Sequence, residues 1–339
     1  MSNSKAPRAA ILGCAGLELT ASERAFFRDS DPLGFILFLR NVSEPAQVHD
    51  LVASLRDAVG RPDAPVLIDQ EGGRVARLKP PHWPAYPAAA AMAALGGERA
   101  GEAVRLSARL IAADLLDLGI TVDCLPVLDL RVAGADAIIG DRSYGETPEE
   151  VATLGRLACE GLLAGGVLPI VKHIPGHGRA SVDSHLSLPR VATDKATLAK
   201  TDFAPFRALA DMPWAMTAHI VYEALDASRP ATLSPSVISE AIRGDIGFDG
   251  LLLTDDLSMK ALQGSFAERA RDALAAGCDV VLHCNGDRAE MEQVMEGTGP
   301  MTPAALQRLA RGEALRLKGI EPFDRDAGTA RIAALMARA

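Results

Sequence analysis

Residues 168–185 read Leu168-Pro-Ile-Val-Lys172-His173-Ile-Pro-Gly-His177-Gly-Arg-Ala-Ser-Val-Asp183-Ser-His185. A short apolar stretch, Leu168–Val171, runs straight into one lysine, three histidines and one aspartate, with proline and glycine between them. A parallel strand buried on both faces and ending in a reactive loop reads this way. Two chemistries compete for the polar cluster: an acid/base loop, or a set of metal ligands.

Seven similar apolar runs lie outside this stretch: Ala10–Gly13, Gly34–Leu39, Val66–Asp69, Val122–Asp129, Ala215–His219, Gly250–Asp255 and Asp279–Asn285, making eight with Leu168–His173. Helix-like segments separate them. Thr20-Ala-Ser-Glu23 and Thr147-Pro-Glu-Glu150 are capping boxes, and Ser234-Pro235 and Thr302-Pro303 repeat the cap-then-proline signal. Ala103–Leu118 has the length and apolar recurrence of a helix packed on one face. Eight strand–helix units predict a closed (β/α)8 TIM-like barrel. The alternative is an open doubly wound sheet, but no GxGxxG or P-loop fingerprint follows the first run. Arg40 and Asn41, Asp69, Asp129, Lys172 and His173, His219, Asp255, and Asn285 sit at or just past the run ends. A barrel gathers all such ends at one mouth, where barrel enzymes place their chemistry.

The chain has 339 residues, a length that α/β barrels often use for one domain, and no Pro/Gly/Ser-rich linker divides it. A single domain over residues 1–339 is expected. With 48% hydrophobic and 23% charged residues, it can bury an ample core. A net charge of −9 argues against nucleic-acid and anionic-membrane partners. No apolar run approaches the roughly 18 residues of a membrane span. Lys5 and Arg8 precede Ala9–Cys14 in the manner of a lipoprotein signal, but that apolar core is five residues long. A signal core needs roughly 7–15, so the segment reads as a first strand. Cys14, Cys124, Cys159, Cys278 and Cys284 are odd in number and lack CxxC spacing. They fit core positions in a reducing compartment, and a cytoplasmic location is expected.

Asp255 and Asp256 end one run. Adjacent strand residues point to opposite sides, so one carboxylate can face the barrel axis while the other caps the following turn. Pro175-Gly176 between His173 and His177 rules out a helical HExxH arrangement, although barrel hydrolases also collect metal ligands from several strand ends. Asp183 and His185 are two residues apart, a spacing that lets an aspartate orient an imidazole and raise its basicity. The same spacing also fits an Asx-turn.

Lys172-His173-Ile-Pro-Gly-His177-Gly followed by Asp183-Ser-His185 resembles the signature of bacterial β-N-acetylglucosaminidases of glycoside hydrolase family 3. Ile68-Asp69-Gln-Glu-Gly-Gly-Arg-Val-Ala-Arg77, Ile139-Gly-Asp-Arg142-Ser-Tyr-Gly145, Gly247–Gly250 with Thr254-Asp255-Asp256-Leu-Ser-Met259, Leu37–Asn41 and Thr217–His219 resemble further segments of that family, in family order over roughly residues 10–290. Residues 300–339 carry no such signature. The resemblance implies an exo-acting, retaining two-step hydrolysis of cell-wall muropeptides, GlcNAc–1,6-anhydro-MurNAc with or without peptide, as in peptidoglycan recycling. It makes Asp255 the nucleophile and Asp183–His185 the acid/base dyad. Asp69, Arg77, Arg142, Lys172 and His173 are implied to hold the terminal sugar, and His177 to brace the loop. Neither metal nor cofactor is called for. The partner is a small carbohydrate. Aromatic residues make up only 4% of the chain, which fits a pocket for one sugar better than a platform for a polysaccharide. The rivals are a β-glucosidase or glycoside phosphorylase of the same family, a metal-dependent barrel hydrolase using His173, His177, His185 and Asp255, and a silent sugar-binding barrel.

Overall fold

A computed structural model describes residues 6–337; Lys5 of the lipoprotein-like start and the extreme ends of the 1–339 span lie outside them. Each of the eight apolar runs supplies one strand of a closed parallel barrel. The strands are β1 (Arg8–Leu12), β2 (Pro32–Leu37), β3 (Val66–Ile68), β4 (Val122–Asp123), β5 (Leu168–Ile174), β6 (Trp214–Thr217), β7 (Leu251–Asp256) and β8 (Val280–His283). They follow chain order around the barrel, and β8 closes onto β1 with Ala10 opposite Val281 and Leu12 opposite His283. Within the lipoprotein-like segment, Arg8–Leu12 form the first strand.

Period-two alternation divides each strand between two cores. Ile11, Ile36, Leu67, Val122, Ile170, Met216, Leu253 and Leu282 fill the barrel interior. Their neighbours Ala10, Phe35, Val66, Val171, Ala215, Leu252 and Val281 pack outward among the helices. The same parity carries past the apolar residues. Leu168 and Ile170 point inward, so Lys172 takes the next inward position; Leu67 is followed by Asp69, and Leu251 and Leu253 by Asp255.

The surrounding helices start where their caps predict. Thr20 closes a full capping box on Ala21–Ser30. Thr147 accepts from the Glu150 amide at 3.3 Å at the start of Pro148–Ala164, but the reciprocal bond is not formed, because the Glu150 carboxylate lies against Gly145. Ser234 Oγ accepts from the Val237 amide at 3.2 Å, opening a segment wound as a π-helix. Helix Gly97–Asp117 contains the predicted Ala103–Leu118 segment apart from its last residue.

Residues 300–337 close the structure. Thr302 caps helix Pro303–Lys318, which covers the N-terminal end of the barrel: Met301 and Ala305 join the interior core, with Leu306 and Leu309 packed against it. Gly312 eases the close approach there, since a Cβ would sit 3.0 Å from the indole nitrogen of Trp214 and the ring would have to give by a few tenths of an ångström. Helix Arg325–Met336 docks through Ile332 and Leu335 and pairs Arg331 with Glu102 and Arg325 with Asp114 on helix Gly97–Asp117. Outside the barrel, Arg190–Val191 pairs in parallel with Val221–Tyr222, tying the loop after β5 to the chain after β6. No helix among the described residues is long and apolar enough to cross a membrane.

Candidate active site

A cavity of about 260 Å³ opens at the C-terminal mouth of the barrel, lined by Asp69, Glu71, Arg77, Arg142, Lys172, His173, His185 and Asp255, with Ile36, Phe38, Met216 and Leu282 among its apolar walls. A larger cleft of about 890 Å³ lies at the opposite end beneath helix Pro303–Lys318. Barrel chemistry belongs at the C-terminal face. The expected residues Asp69, Arg77, Arg142, Lys172, His173, His185 and Asp255 all reach the mouth cavity, and Asp183 stands directly behind His185.

One wall is a bank of alternating charges. Arg77 reaches Asp69 Oδ2 at 2.9 Å, Lys172 Nζ lies 3.0 Å from Asp69 Oδ1 and 2.7 Å from Glu71 Oε1, and Arg142 grips Glu71 through two bonds of 2.8 Å. Burial pushes the Asp69 carboxyl up, but Lys172 and Arg77 together outweigh it and hold the group well below the usual carboxylate range. Burial likewise works against the Lys172 ammonium, which Asp69 and Glu71 nevertheless keep charged by raising its pKa. The loop carrying Glu71 is set by Gln70, whose amide oxygen accepts from the Arg77 and Leu78 amides and whose nitrogen donates to Leu78 O.

Glu71 was assigned no role from sequence, although it lies two residues beyond Asp69 in the same quoted segment. Its pKa falls from 4.5 to about 2: burial raises it, but Arg142 and Lys172 pull it further down. A depressed carboxylate adds stability that is present above its unfolded pKa and is lost as pH falls through the folded one. Removing one partner of a buried ion pair costs about 3–5 kcal/mol. Glu71→Gln should lose stability on that scale in urea melts at pH 7. It should also lose less than the parent protein as pH falls from 4.5 towards about 2.

His173 places its Nδ1 2.6 Å from Asp129 Oδ2, which leaves Nε2 as the ring nitrogen free to meet a ligand. Asp129 is buried and also accepts from the amides of His173 and His177, the latter at 2.6 Å. It is a brace for the turn rather than a cavity wall. His177 is buried as well, with Nε2 3.0 Å from Ser184 Oγ; burial first, and then His173, bring its pKa down to about 4.

Asp183 satisfies both readings of its spacing. Its Oδ1 accepts from the His185 amide and meets His185 Nδ1, each at 2.8 Å, so the Asx-turn and the Asp–His pair are one structure. The imidazole is 60% exposed on the rim of the cavity. Burial raises the Asp183 carboxyl, but the His185 amide and ring outweigh it and hold it low.

Both members of the Asp-Asp pair border the cavity, but their carboxylates are committed differently. Asp255 lines the cavity, and its Oδ1 accepts from the Asp256 amide at 2.8 Å. Burial raises its pKa, yet His173, His219, the Asp256 amide and His185 together hold it below the ordinary value. Asp256 accepts from the amides of Ser258 at 3.0 Å and Cys284 at 3.1 Å, and from Ser258 Oγ at 2.5 Å. It builds the turn.

Other polar strand ends are occupied elsewhere. Arg40 and Asn41 donate to Cys14 O, with Arg40 also reaching Cys284 O and Asn41 Gly16 O; His219 bridges Thr232 and Asp256 O; Asn285 bonds Glu290. Of the four ligands in the metal reading, His173 and His177 spend one ring nitrogen each on Asp129 and Ser184. Among the described residues no group of three or more His, Cys, Asp or Glu side chains is placed to hold a metal ion.

A barrel mouth with a free strand-end carboxylate, an Asp–His pair on a facing loop and a bank of donors and acceptors suited to hydroxyl groups has the layout of a barrel glycoside hydrolase. The chain belongs to glycosyl hydrolase family 3, whose N-terminal domain matches residues 13–311. The β-hexosaminidase of Alkalilimnicola ehrlichii is 38% identical over 308 residues, covering 89% of this chain and 87% of that protein. NagZ from Neisseria gonorrhoeae, solved with N-trifluoroacetyl-D-glucosamine, superposes with a TM-score of 0.87 at 32% identity, covering 99% of this chain and 100% of that one. A family 3 β-N-acetylglucosaminidase from Paenibacillus superposes with a TM-score of 0.80 at 33% identity; the match covers 97% of this chain and 61% of that longer one.

Proposed function

We infer that the chain is an exo-acting, retaining β-N-acetylglucosaminidase that works as a single catalytic domain over residues 1–339. In its first step Asp255 attacks the anomeric carbon of a terminal GlcNAc while His185 protonates the departing glycosidic oxygen, leaving a covalent glycosyl-enzyme. In the second step His185, now neutral, takes a proton from water as the water displaces Asp255. Asp183 holds the imidazole tautomer and balances the positive charge. Histidine in this role avoids placing a second negative charge beside the nucleophile.

The convergence of Asp255 and the Asp183–His185 pair on one cavity carries this reading. The sugar would lie against the charge bank, with Asp69 accepting from hydroxyls and Arg77, Arg142, Lys172 and His173 donating. At about 260 Å³ the cavity falls below the roughly 300–1,000 Å³ of sites for drug-sized ligands, which suits one sugar ring. The GlcNAc preference draws on the β-hexosaminidase relative and on the glucosamine derivative bound by the Neisseria protein. The substrate proposed is GlcNAc–1,6-anhydro-MurNAc, with or without stem peptide, met in the cytoplasm during peptidoglycan recycling.

Turnover of a chromogenic β-GlcNAc should exceed that of its β-glucose counterpart, persist in EDTA, and proceed equally in phosphate and in a non-nucleophilic buffer. A glucose preference points to a β-glucosidase, acceleration by phosphate to a phosphorylase, and loss in EDTA to the metal-dependent hydrolase.

A further inference from the structure

The segment carrying the Asp183–His185 pair is exposed along most of its length. Ser181, Val182, His185, Leu186 and Ser187 are exposed and Asp183 is half-buried; of residues 181–187 only Ser184, between the two members of the pair, is buried. Its hydroxyl lies 3.0 Å from His177 Nε2. His177 is itself buried, and its Nδ1 has no hydrogen-bond partner among the described residues. An unpaired buried N–H costs more than an unpaired lone pair. The ring hydrogen therefore sits on Nε2 and is donated to Ser184 Oγ. A pKa near 4 keeps that ring neutral and the arrangement unchanged across the neutral range.

The bond extends inward. The His177 amide donates to Asp129 Oδ1 at 2.6 Å, and Asp129 Oδ2 holds His173 Nδ1 at 2.6 Å. His173 lines the cavity. A continuous hydrogen-bonded path thus runs from a cavity-lining group to the one buried point of the loop that carries His185. Without it, an exposed segment with few packed side chains has little to hold its position.

We propose that Ser184 and His177 are positioning residues, a pin that sets the Asp183–His185 pair over the cavity and ties its placement, through Asp129, to His173. This rests on the acid/base reading of the pair. Misplacing a reacting group by about 1 Å can cost on the order of 100-fold in rate, and proton donation matters most when the leaving group is poor.

Ser184→Ala removes the bond without adding volume. With a disaccharide substrate its kcat/KM should fall about 10- to 100-fold, while kcat/KM for an activated aryl β-GlcNAc, which reports the first step alone, changes little. Ser184→Cys, similar in size but a weak hydrogen bonder, should behave like alanine and serves if the alanine variant folds poorly. His177→Ala combined with Ser184→Ala should be no slower than the worse single variant, as expected for two halves of one contact. His185→Ala is measured beside them. If it discriminates between leaving groups and the Ser184 variants do not, the pin is overturned and the acid/base reading stands. If His185→Ala fails to discriminate, the acid/base reading fails and takes the pin with it. Equal losses on both substrates together with a lowered melting temperature make Ser184 a packing residue and also overturn the proposal.

Discussion

Asp255→Ala removes turnover by on the order of 10⁴-fold or more, the scale seen when a nucleophile is deleted, while the fold stays intact. The residue touches the cavity and its carboxylate takes one local bond, from the Asp256 amide, so alanine leaves the barrel ladder and the neighbouring ion pairs in place. His173, His219 and His185 face it, and their pull outweighs burial and keeps the group ionised. An ionised carboxylate with an uncommitted oxygen is what attack on an anomeric carbon requires. A fluorinated mechanism-based β-sugar should label the parent protein, and peptide mapping should place the added mass on Asp255. A label on Asp256, or none, sinks the assignment. Asp256 already accepts from Ser258 and Cys284 in the turn, so Asp256→Asn should lower the melting temperature with the label still on Asp255.

Asp183→Ala and His185→Ala should fold normally, since the pair sits on the rim with the imidazole largely exposed. General acid catalysis contributes about 10²–10⁴-fold. A loss on that scale should appear in kcat/KM with a disaccharide, whose leaving oxygen needs a proton, and shrink in kcat/KM with an activated aryl glycoside, which departs without one. For the aryl substrate kcat should still fall, because the imidazole is also the base of the second step. Asp183→Ala should follow His185→Ala with a smaller loss, because the carboxylate acts only through the 2.8 Å contact that fixes the ring. Equal losses on both substrates would make the loop a structural element.

The barrel was legible because a strand buried on both faces must be apolar throughout, and each such run stopped at a polar residue. The boundaries were less so. The run Val122–Asp129 forms a regular strand only over Val122–Asp123; around Pro126, which has no amide to give, pairing with β5 is reduced to an isolated bridge between Val127 and Lys172. The irregular backbone that follows is held by the Leu128 amide on Lys172 O at 2.7 Å, and it sets Asp129 beside His173. Asp129 was recognisable as a strand-end group, but not as the brace of the histidine turn. Arg40, Asn41, His219 and Asn285 looked equivalent to Asp69 and Lys172 in sequence. They differ only because backbone carbonyls and neighbouring side chains from other loops consume them.

Short-range rules were enough for the strand count, for the inward parity that selects Lys172 and Asp255, and for the two-residue spacing that joins Asp183 to His185. Each depends on a few consecutive residues and the geometry of an extended chain. Closure of the barrel decided the rest. Lys172 meets Asp69 across 103 positions and Arg142 meets Glu71 across 71, so no local pattern could have announced the charge bank. Burial of Ser184 against His177, and the seating of helix Pro303–Lys318 beneath Trp214, likewise exist only once distant segments pack. Their energies come from excluding water around paired polar groups and apolar side chains, a condition that tertiary contact creates.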